Sequence, residues 1–405
     1  MIGKMARRTL YEYPSDMEPL LPEDRDGSLA ALALQTIRGS ERLRGKLHPA
    51  TRRGVAELVQ SMNSYYSNLI EGHRTRPMDI DRALRQEFGG NREQRNLQQL
   101  HWAHVETERW MKVALGTMST AEVCSGDFLC AIHREFYSRL PDEFKNIASE
   151  TGRLERIESG ALRMSVVSVG IHVPPAPASL PRFLKRFSSF YAPLVEESQR
   201  GLIAAAAAHH RLAWIHPFLD GNGRVTRLFT LAWFSKIGLA GDGLWTLSRG
   251  FARQQSEYKA MLAQADERRL NDFDGRGYLS DRRLGNFCEF VLKTALDQIA
   301  FMEDLLELEA LQRRVLAFGK RLETEGALLK GSGELLRDIL LRGEIPRGDV
   351  ARIVGVSPRT GQTISGALLR ANLLQSDSPK GSLRLGFPAL ASASYFPNLF
   401  PAGAD

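Results

Sequence analysis

His216-Pro217-Phe218-Leu219-Asp220-Gly221-Asn222-Gly223-Arg224-Val225-Thr226-Arg227 is the stretch on which the reading of this chain turns. One helical pattern ends near Ile215 and another begins near Gly223. Gly221, Asn222 and Gly223 can take positive φ and turn successive backbone N–H groups into one concavity. The helix that starts there aims its unpaired N–H groups and its dipole at the same point. Arg224 lies in its first turn and Arg227 three residues on, along the same face. Two guanidiniums beside an N–H nest make a site for a polyphosphate. Asp220 is a hard oxygen ligand next to the nest, suited to Mg²⁺ bridging phosphates. His216, four residues earlier, offers a neutral imidazole that can take a proton from an attacking hydroxyl.

Working outward, the flanks are helical. Val55, Leu58, Val59, Met62, Tyr65, Tyr66 and Leu69 recur at spacings of three and four, the mark of one buried helix face. Gly72 and then Pro77 end that helix. Further helices are predicted over 79–86, 93–116, 181–197 and 202–214, and around Leu129 to Leu140. Between them, Arg163-Met164-Ser165-Val166-Val167-Ser168-Val169-Gly170-Ile171-His172-Val173 is rich in β-branched residues and stops at Pro174-Pro175, so it reads as a short hairpin or extended flap. Apolar residues from Leu284 to Leu322 keep helical spacing, as one long helix or two in series. Gly331-Ser332-Gly333 reads as a flexible joint.

Residues 216–227 match HPFx(D/E)GNGRxxR in full, and on these residues the chain resembles the Fic family, over roughly residues 55–300. The resemblance implies a mainly α, Fic-fold helical bundle with a small β-hairpin flap. It implies transfer of AMP from ATP to a Ser, Thr or Tyr hydroxyl of a protein, with release of pyrophosphate. His216 would be the general base and Asp220 would hold Mg²⁺. Asn222 with Gly221 and Gly223 would stabilise the α-phosphate, and Arg224 and Arg227 would hold the outer phosphates. Ser165, Val166, Val167, Ser168 and Val169 of the flap would align the target by strand addition. Phosphate-transferring, Doc-like members carry Lys where this chain has Gly223, which favours nucleotidyl over phosphoryl transfer. Tyr258 looks like part of a segment lining the nucleotide base, where an aromatic ring can stack on adenine; a core tyrosine fits the residue equally well. No glycine-rich loop ending in Gly-Lys-Ser or Gly-Lys-Thr is present, so the ATP site is not a P-loop.

Ser67-Asn68-Leu69-Ile70-Glu71-Gly72 resembles the family's inhibitory helix, (S/T)xxxE(G/N). Ser67 and Glu71 are four apart and share one helical face. A carboxylate paired with Arg227 would keep that arginine from the γ-phosphate, so an autoinhibited enzyme is expected. Glu71 can equally activate water to remove AMP from the same target, giving a bifunctional enzyme.

The chain has 405 residues, enough for two or three domains. Hydrophobic residues make up 43% and charged residues 25%, which excludes a disordered, collagen-like or disulfide-scaffold chain. The net charge of +7 permits an anionic partner without demanding one. Cys124, Cys130 and Cys288 form no metal or disulfide spacing and suit a reducing, cytoplasmic setting. His209 and His210 lack the partners of a zinc site, and Cys124 with His133 fits core packing better than a thiol nucleophile. No signal peptide or membrane span is expected. The expected organisation is an arm over 1–28, a helical region with the inhibitory helix over 29–120, a catalytic core with a long helix over 121–330, and a unit over 331–405. That last unit reads as three helices and a ribbon, resembling a winged helix-turn-helix. Its third helix would carry Arg359, Thr360, Gln362, Thr363 and Ser365 into a DNA major groove. Eight basic and six acidic residues there give only a weak positive excess. A nucleotide-sensing transcription regulator is thus the alternative function, and a homodimer through the long helix is a possible assembly.

Overall fold

The structure is a computed structural model, and it describes residues 11–148, 154–239 and 241–401. Those residues are mainly helical, with sixteen α-helices and five short strands. The helices are α1 (Ser28–Gly45), α2 (Pro49–Ile70), α3 (Pro77–Leu84), α4 (Arg92–Thr117) and α5 (Gly126–Ser138). Strands β1 (Asn146–Ala148) and β2 (Leu154–Arg156) follow as an antiparallel pair. Next come α6 (Leu180–Tyr191), α7 (Ser198–Ile215), α8 (Asn222–Lys236), α9 (Leu247–Arg253), α10 (Gln255–Ala265), α11 (Asp281–Leu305) and α12 (Leu308–Thr324). The chain closes with α13 (Ser332–Arg342), β3 (Glu344–Ile345), α14 (Val350–Val354), α15 (Pro358–Arg370), β4 (Leu374–Gln375), β5 (Leu383–Leu385) and α16 (Ala389–Tyr395).

Helix α7 is the axis of the bundle. Residues Gly201 to Leu212 are buried on every side, and five consecutive alanines keep the helix thin. A helix apolar all round belongs inside, and α1, α6, α8 and α11 surround this one. Helices α1 and α2 pack on α11 and α9, so the N-terminal helical region is part of the same bundle. The arm is not a free extension in its described part. Met17 and Leu20 are buried, Arg211 donates to the Pro19 carbonyl at 2.8 and 3.0 Å, and Asp24 caps α1 through the Leu29 and Ala30 N–H groups.

The long apolar run is two helices in series. The break is at Leu306–Glu307, where the Glu307 carboxylate caps the N–H groups of Glu309 and Ala310. The flexible joint expected at Gly331–Gly333 is instead a close crossing of α12 and α13. A Cβ on Gly319 would overlap the Gly333 backbone, and the Gly331 and Gly333 N–H groups both donate to Glu323. Glycine serves here for contact between backbones, not for freedom. Beyond it lie α14 and α15, a three-stranded sheet with β5 between β3 and β4, and α16. Ser357 caps α15 with Pro358 in its first turn. Arg359, Thr360, Gln362, Thr363 and Arg370 are exposed on α15, whereas Ser365 is buried and faces the unit's own core.

The C-terminal segment then returns to α2 and α9 of the main bundle. Tyr66 of α2 donates to the Leu399 carbonyl at 3.0 Å, and Arg249 of α9 donates to that of Asn398 at 3.0 Å. The Phe400 ring meets Tyr65 edge-on at 5.4 Å, and Phe387 lies against Gly54. Residues 387–400 are thus part of the wall behind α2.

Candidate active site

Helix α7 ends at His216, whose backbone is left-handed (φ 49°, ψ 61°) and whose N–H closes the helix on the Leu212 carbonyl at 3.1 Å. This left-handed cap turns the imidazole out of the helix. Its Nδ1 lies 3.3 Å from the Ala213 carbonyl. A carbonyl only accepts, so Nδ1 carries the proton and Nε2 keeps its lone pair. Burial pushes the His216 pKa down to about 4, with Arg163 adding to the effect. The ring is therefore neutral at physiological pH, the state a general base requires.

The next turn is tied by Asn222. Its Oδ1 accepts from the Phe218 N–H at 2.9 Å and its Nδ2 donates to the Phe218 carbonyl at 2.8 Å. Both ends of the amide hold the loop, so the Asn222 side chain shapes the nest from behind and does not reach toward a phosphate. Gly221 sits at φ 79° and starts α8. A Cβ there would stand 2.6 Å from the Tyr137 ring, so glycine is needed for both conformation and space.

Asp220 is exposed at the rim. The Tyr137 hydroxyl donates to its Oδ2 at 2.7 Å. His133 sits underneath. Its Nδ1 accepts from the Gly160 N–H at 2.8 Å, which leaves Nε2 to donate to the Asp220 carbonyl at 3.3 Å. Its ring stacks between Phe218 and Tyr137 at 4.2 and 4.4 Å. The carboxylate is thus oriented through one oxygen while it faces solvent, which suits an oxygen-preferring divalent cation. His133 packs in the core, and from there it also supports the loop.

On α8, Arg224 and Arg227 are both buried. Arg224 Nε donates to Asn68 Oδ1 at 3.2 Å, and its guanidinium lies 5.3 Å from the Phe136 ring centre. Arg227 donates through Nε to Ser67 Oγ at 2.9 Å and through its terminal nitrogen to the Ser67 carbonyl at 3.0 Å and Glu71 Oε1 at 2.6 Å. The Glu71 carboxylate also lies against Gly223, so closely that a Cβ on residue 223 would overlap it. Helix α2 is buried from Met62 to Asn68. Of its polar residues there, Ser67 and Asn68 meet the site arginines, whereas Asn63 bonds Glu108 and Thr246 and Ser64 bonds His101.

Why Glu71 stops at this spot follows from the helix end. The Gly72 N–H donates to the Leu69 carbonyl and the His73 N–H to that of Asn68, both at 3.0 Å. This is the double bond pattern of a glycine-terminated helix. Gly72 takes φ 89°, which L side chains resist. The pair Glu71-Gly72 thus ends α2 just where its last carboxylate meets Arg227. Burial alone would raise the Glu71 pKa, but Arg227 and Arg224 outweigh it and hold the carboxyl below its usual range.

The flap runs beside His216. Val169 and His172 exchange two backbone hydrogen bonds, at 2.9 and 3.0 Å, around a turn at Gly170-Ile171. Below that tip the two arms carry no strand pairing among the described residues. Met164, Val166, Val169 and Ile171 are exposed, Ser165, Val167 and Ser168 partly so, and Ser165 Oγ donates to Glu155 of β2.

Tyr258 does not fit the place expected for it. It is 3% exposed, its ring stacks on Phe251 at 4.3 Å, and its hydroxyl lies 2.8 Å from His209 Nε2. No face of the ring is left for a base. His209 and His210 are also fully engaged, His209 with Thr230 and Tyr258, His210 with Leu262, Asp266 and Arg211. The sequence reading missed Tyr137, His133, Asn68 and Arg163 as parts of the site. Asn68 was within reach of it, one residue after Ser67.

Residues 124–234 match the Fic/DOC family. The chain carries a Fic/DOC domain. That match ends before α9 and begins after α4, so the Fic/DOC domain includes the His216–Arg227 turn and the flap, and α2 with Glu71 lies outside it. Among curated proteins, the chain is 43% identical over 77 residues to the protein adenylyltransferase Fic of Drosophila ananassae, and 37% over 95 residues to that of Drosophila mojavensis. These matches cover 19% and 24% of this chain but only 16% and 19% of the relatives. Among solved structures, a Fic family protein from Desulfovibrio desulfuricans aligns over 90% of this chain and 98% of its own, at 17% identity and a TM-score of 0.49. A Fic-domain signaling protein from Bacteroides thetaiotaomicron aligns over 67% of this chain and 96% of its own, at 18% identity and a TM-score of 0.48.

Proposed function

We propose that this chain is a protein adenylyltransferase, held inactive by Glu71. The observation that carries the reading is the neutral His216 imidazole beside the nest of Gly221 to Arg224, with two buried guanidiniums on the following helix. In the reaction, His216 Nε2 takes the proton of the target's Ser, Thr or Tyr hydroxyl as that oxygen attacks the α-phosphorus of ATP. The bond from that phosphorus to the bridging oxygen breaks, and pyrophosphate leaves. The N–H groups at the start of α8 face the phosphates, and Asn222 holds them in place through Phe218. Arg224 and Arg227 neutralise the outer phosphates. Asp220, steadied by Tyr137, would hold Mg²⁺, which supplies charge neutralisation on the phosphates when bound. The exposed flap edge takes the target segment in extended form. The names of the curated relatives support the same chemistry.

The brake follows from competition for one arginine. While Arg227 is paired with Glu71, the donor that would receive the γ-phosphate is taken, and the Glu71 carboxylate fills the space in front of Gly223. The test is incorporation of label from α-³²P-ATP into protein by the Glu71→Gly enzyme. Absence of label with that variant, at any protein acceptor in a cell lysate, overturns the reading.

Two further outcomes follow. Because the His216 pKa is held to about 4, label transfer by the Glu71→Gly enzyme stays level between about pH 7 and pH 5 and falls as pH approaches that value. A drop centred near the ordinary histidine range would show that a different group limits the rate. Glu71 is also held low, so its pairing with Arg227 is kept above the usual glutamate range and lost only as pH falls through its depressed value. Mild acid therefore does not release the wild-type enzyme. For the nest, Gly221→Ala forces an alanine into left-handed backbone at about 1–2 kcal/mol and against Tyr137. ATP affinity by calorimetry falls on the order of tenfold, and an unchanged affinity would mean that the turn does not hold the phosphates.

A further inference from the structure

Arg163 is the least explained charged residue near the site. It is 3% exposed, and the side-chain bonds it makes among the described residues go to backbone carbonyls and not to a carboxylate. Burial lowers its pKa to about 10, which leaves it cationic at neutral pH. A buried cation without an anion is costly, and what this one holds is backbone. Its Nε donates to the His216 carbonyl at 2.8 Å. Its two terminal nitrogens donate to the Ser165 carbonyl at 3.0 Å and the Pro175 carbonyl at 2.6 Å. Its own N–H donates to the Pro217 carbonyl at 2.9 Å.

Those four acceptors belong to three separate pieces of chain. Ser165 is on the outgoing arm of the flap, Pro175 on the returning arm, and His216 and Pro217 are the catalytic turn. Among the described residues the two arms meet at the tip through Val169 and His172. The outgoing arm is tied to β2 through Ser165 Oγ and Glu155. The returning arm is tied by His172 Nε2 to the Trp214 carbonyl at 2.8 Å and by the Ala176 N–H to the Tyr11 carbonyl at 2.9 Å. A rigid planar fork that meets carbonyls in three directions is something lysine cannot reproduce.

We propose that Arg163 is the positioning residue that sets the flap, and with it the target hydroxyl, at working distance from His216. This rests on the transferase reading above. Arg163 touches neither ATP nor the proton in flight. Its side-chain bonds reach the two flap arms and the His216 backbone and not Arg224 or Arg227, so the expected loss falls on placement of the acceptor and not on ATP binding. Water, which needs no flap, remains an acceptor of AMP.

The experiment places Arg163→Lys in the full-length Glu71→Gly chain and follows α-³²P-ATP. Two products are measured: label in protein by self-modification, and pyrophosphate released. Protein label is expected to fall at least tenfold, in line with the on the order of 10²-fold cost of a small misplacement. The KM for ATP, read from pyrophosphate release, stays within twofold, so label per pyrophosphate drops. Hydrogen exchange at the Val169, His172 and Arg163 amides speeds up. His172→Phe, which removes the Trp214 tie and leaves Arg163 in place, shows a smaller loss of the same ratio and covers the case in which Arg163→Lys fails to fold. An unchanged ratio of label to pyrophosphate in both variants overturns the proposal. So does a parallel loss of label and ATP affinity with a fall in Tm, which marks a general structural role. If the Glu71→Gly parent itself incorporates no label, the transferase reading falls, and exchange at the three amides still decides whether Arg163 holds the flap.

Discussion

Glu71→Gly raises label incorporation from α-³²P-ATP by on the order of 10- to 100-fold over the wild-type chain, the range of a 1–3 kcal/mol coupling. The expectation comes from what the carboxylate holds. Its Oε1 is 2.6 Å from an Arg227 nitrogen, and its bulk occupies the space before Gly223. Glycine removes both the competing charge and the obstruction. Arg227 keeps its bonds to Ser67, which are made through Nε and the backbone carbonyl, so the guanidinium stays aimed at the site while one of its donors is released. Glu71→Gln tests charge separately from bulk. It retains the volume and a hydrogen-bond acceptor but not the anion, and its activation falls between the two. Equal or lower labelling in Glu71→Gly would end the autoinhibition reading. The same variant addresses the bifunctional alternative, since a pre-labelled target would lose AMP more slowly if Glu71 also activates water.

His216→Ala in that activated background lowers transfer by about 10²- to 10⁴-fold, the usual contribution of a positioned general base, with ATP binding retained. Binding and chemistry separate because the nest, Arg224 and Arg227 are on α8, whereas His216 caps α7. One detail of backbone needs a control. His216 sits at φ 49°, where alanine is strained and asparagine is tolerated. His216→Asn keeps the turn and removes the base, so it loses as much activity as His216→Ala. A large difference between the two variants would assign the loss to the turn and not to the imidazole. Transfer that survives in both would place the base elsewhere.

The core of the site could be read in the sequence because it is local. Twelve consecutive residues place the base, the nest and the arginines, and each is brought into position by the end of one helix or the start of the next. Glu71 could be read because its partner rule, a glycine right after it, has a backbone cause in the helix ending. Tyr137 and His133 could not. They meet Asp220 from 83 and 87 positions away, on a helix whose spacing already explained them as core. Arg163 was visible only as the first residue of the flap, since nothing in a linear pattern says that a buried arginine will bind carbonyls. Tyr258 failed in the opposite direction. A ring that looks suitable for adenine is equally suitable for stacking on Phe251, and sequence does not say which side of α10 faces the cleft. The Gly331–Gly333 segment failed for a similar reason. Glycine allows both a hinge and a tight crossing of helices, and only the neighbour, Gly319, decides between them.

The return of residues 387–400 to the bundle has a practical consequence for trimming the chain. A cut after Glu325, chosen to isolate a minimal transferase, would strip Tyr66 of the Leu399 carbonyl and uncover Tyr65 where Phe400 now lies. Both tyrosines are on α2, within two turns of Glu71. The shortened protein would therefore differ from the whole in two ways at once, by the loss of its last helices and by a loosened wall behind the brake. Activity gained by such a fragment would report on α2 as much as on any domain that was removed.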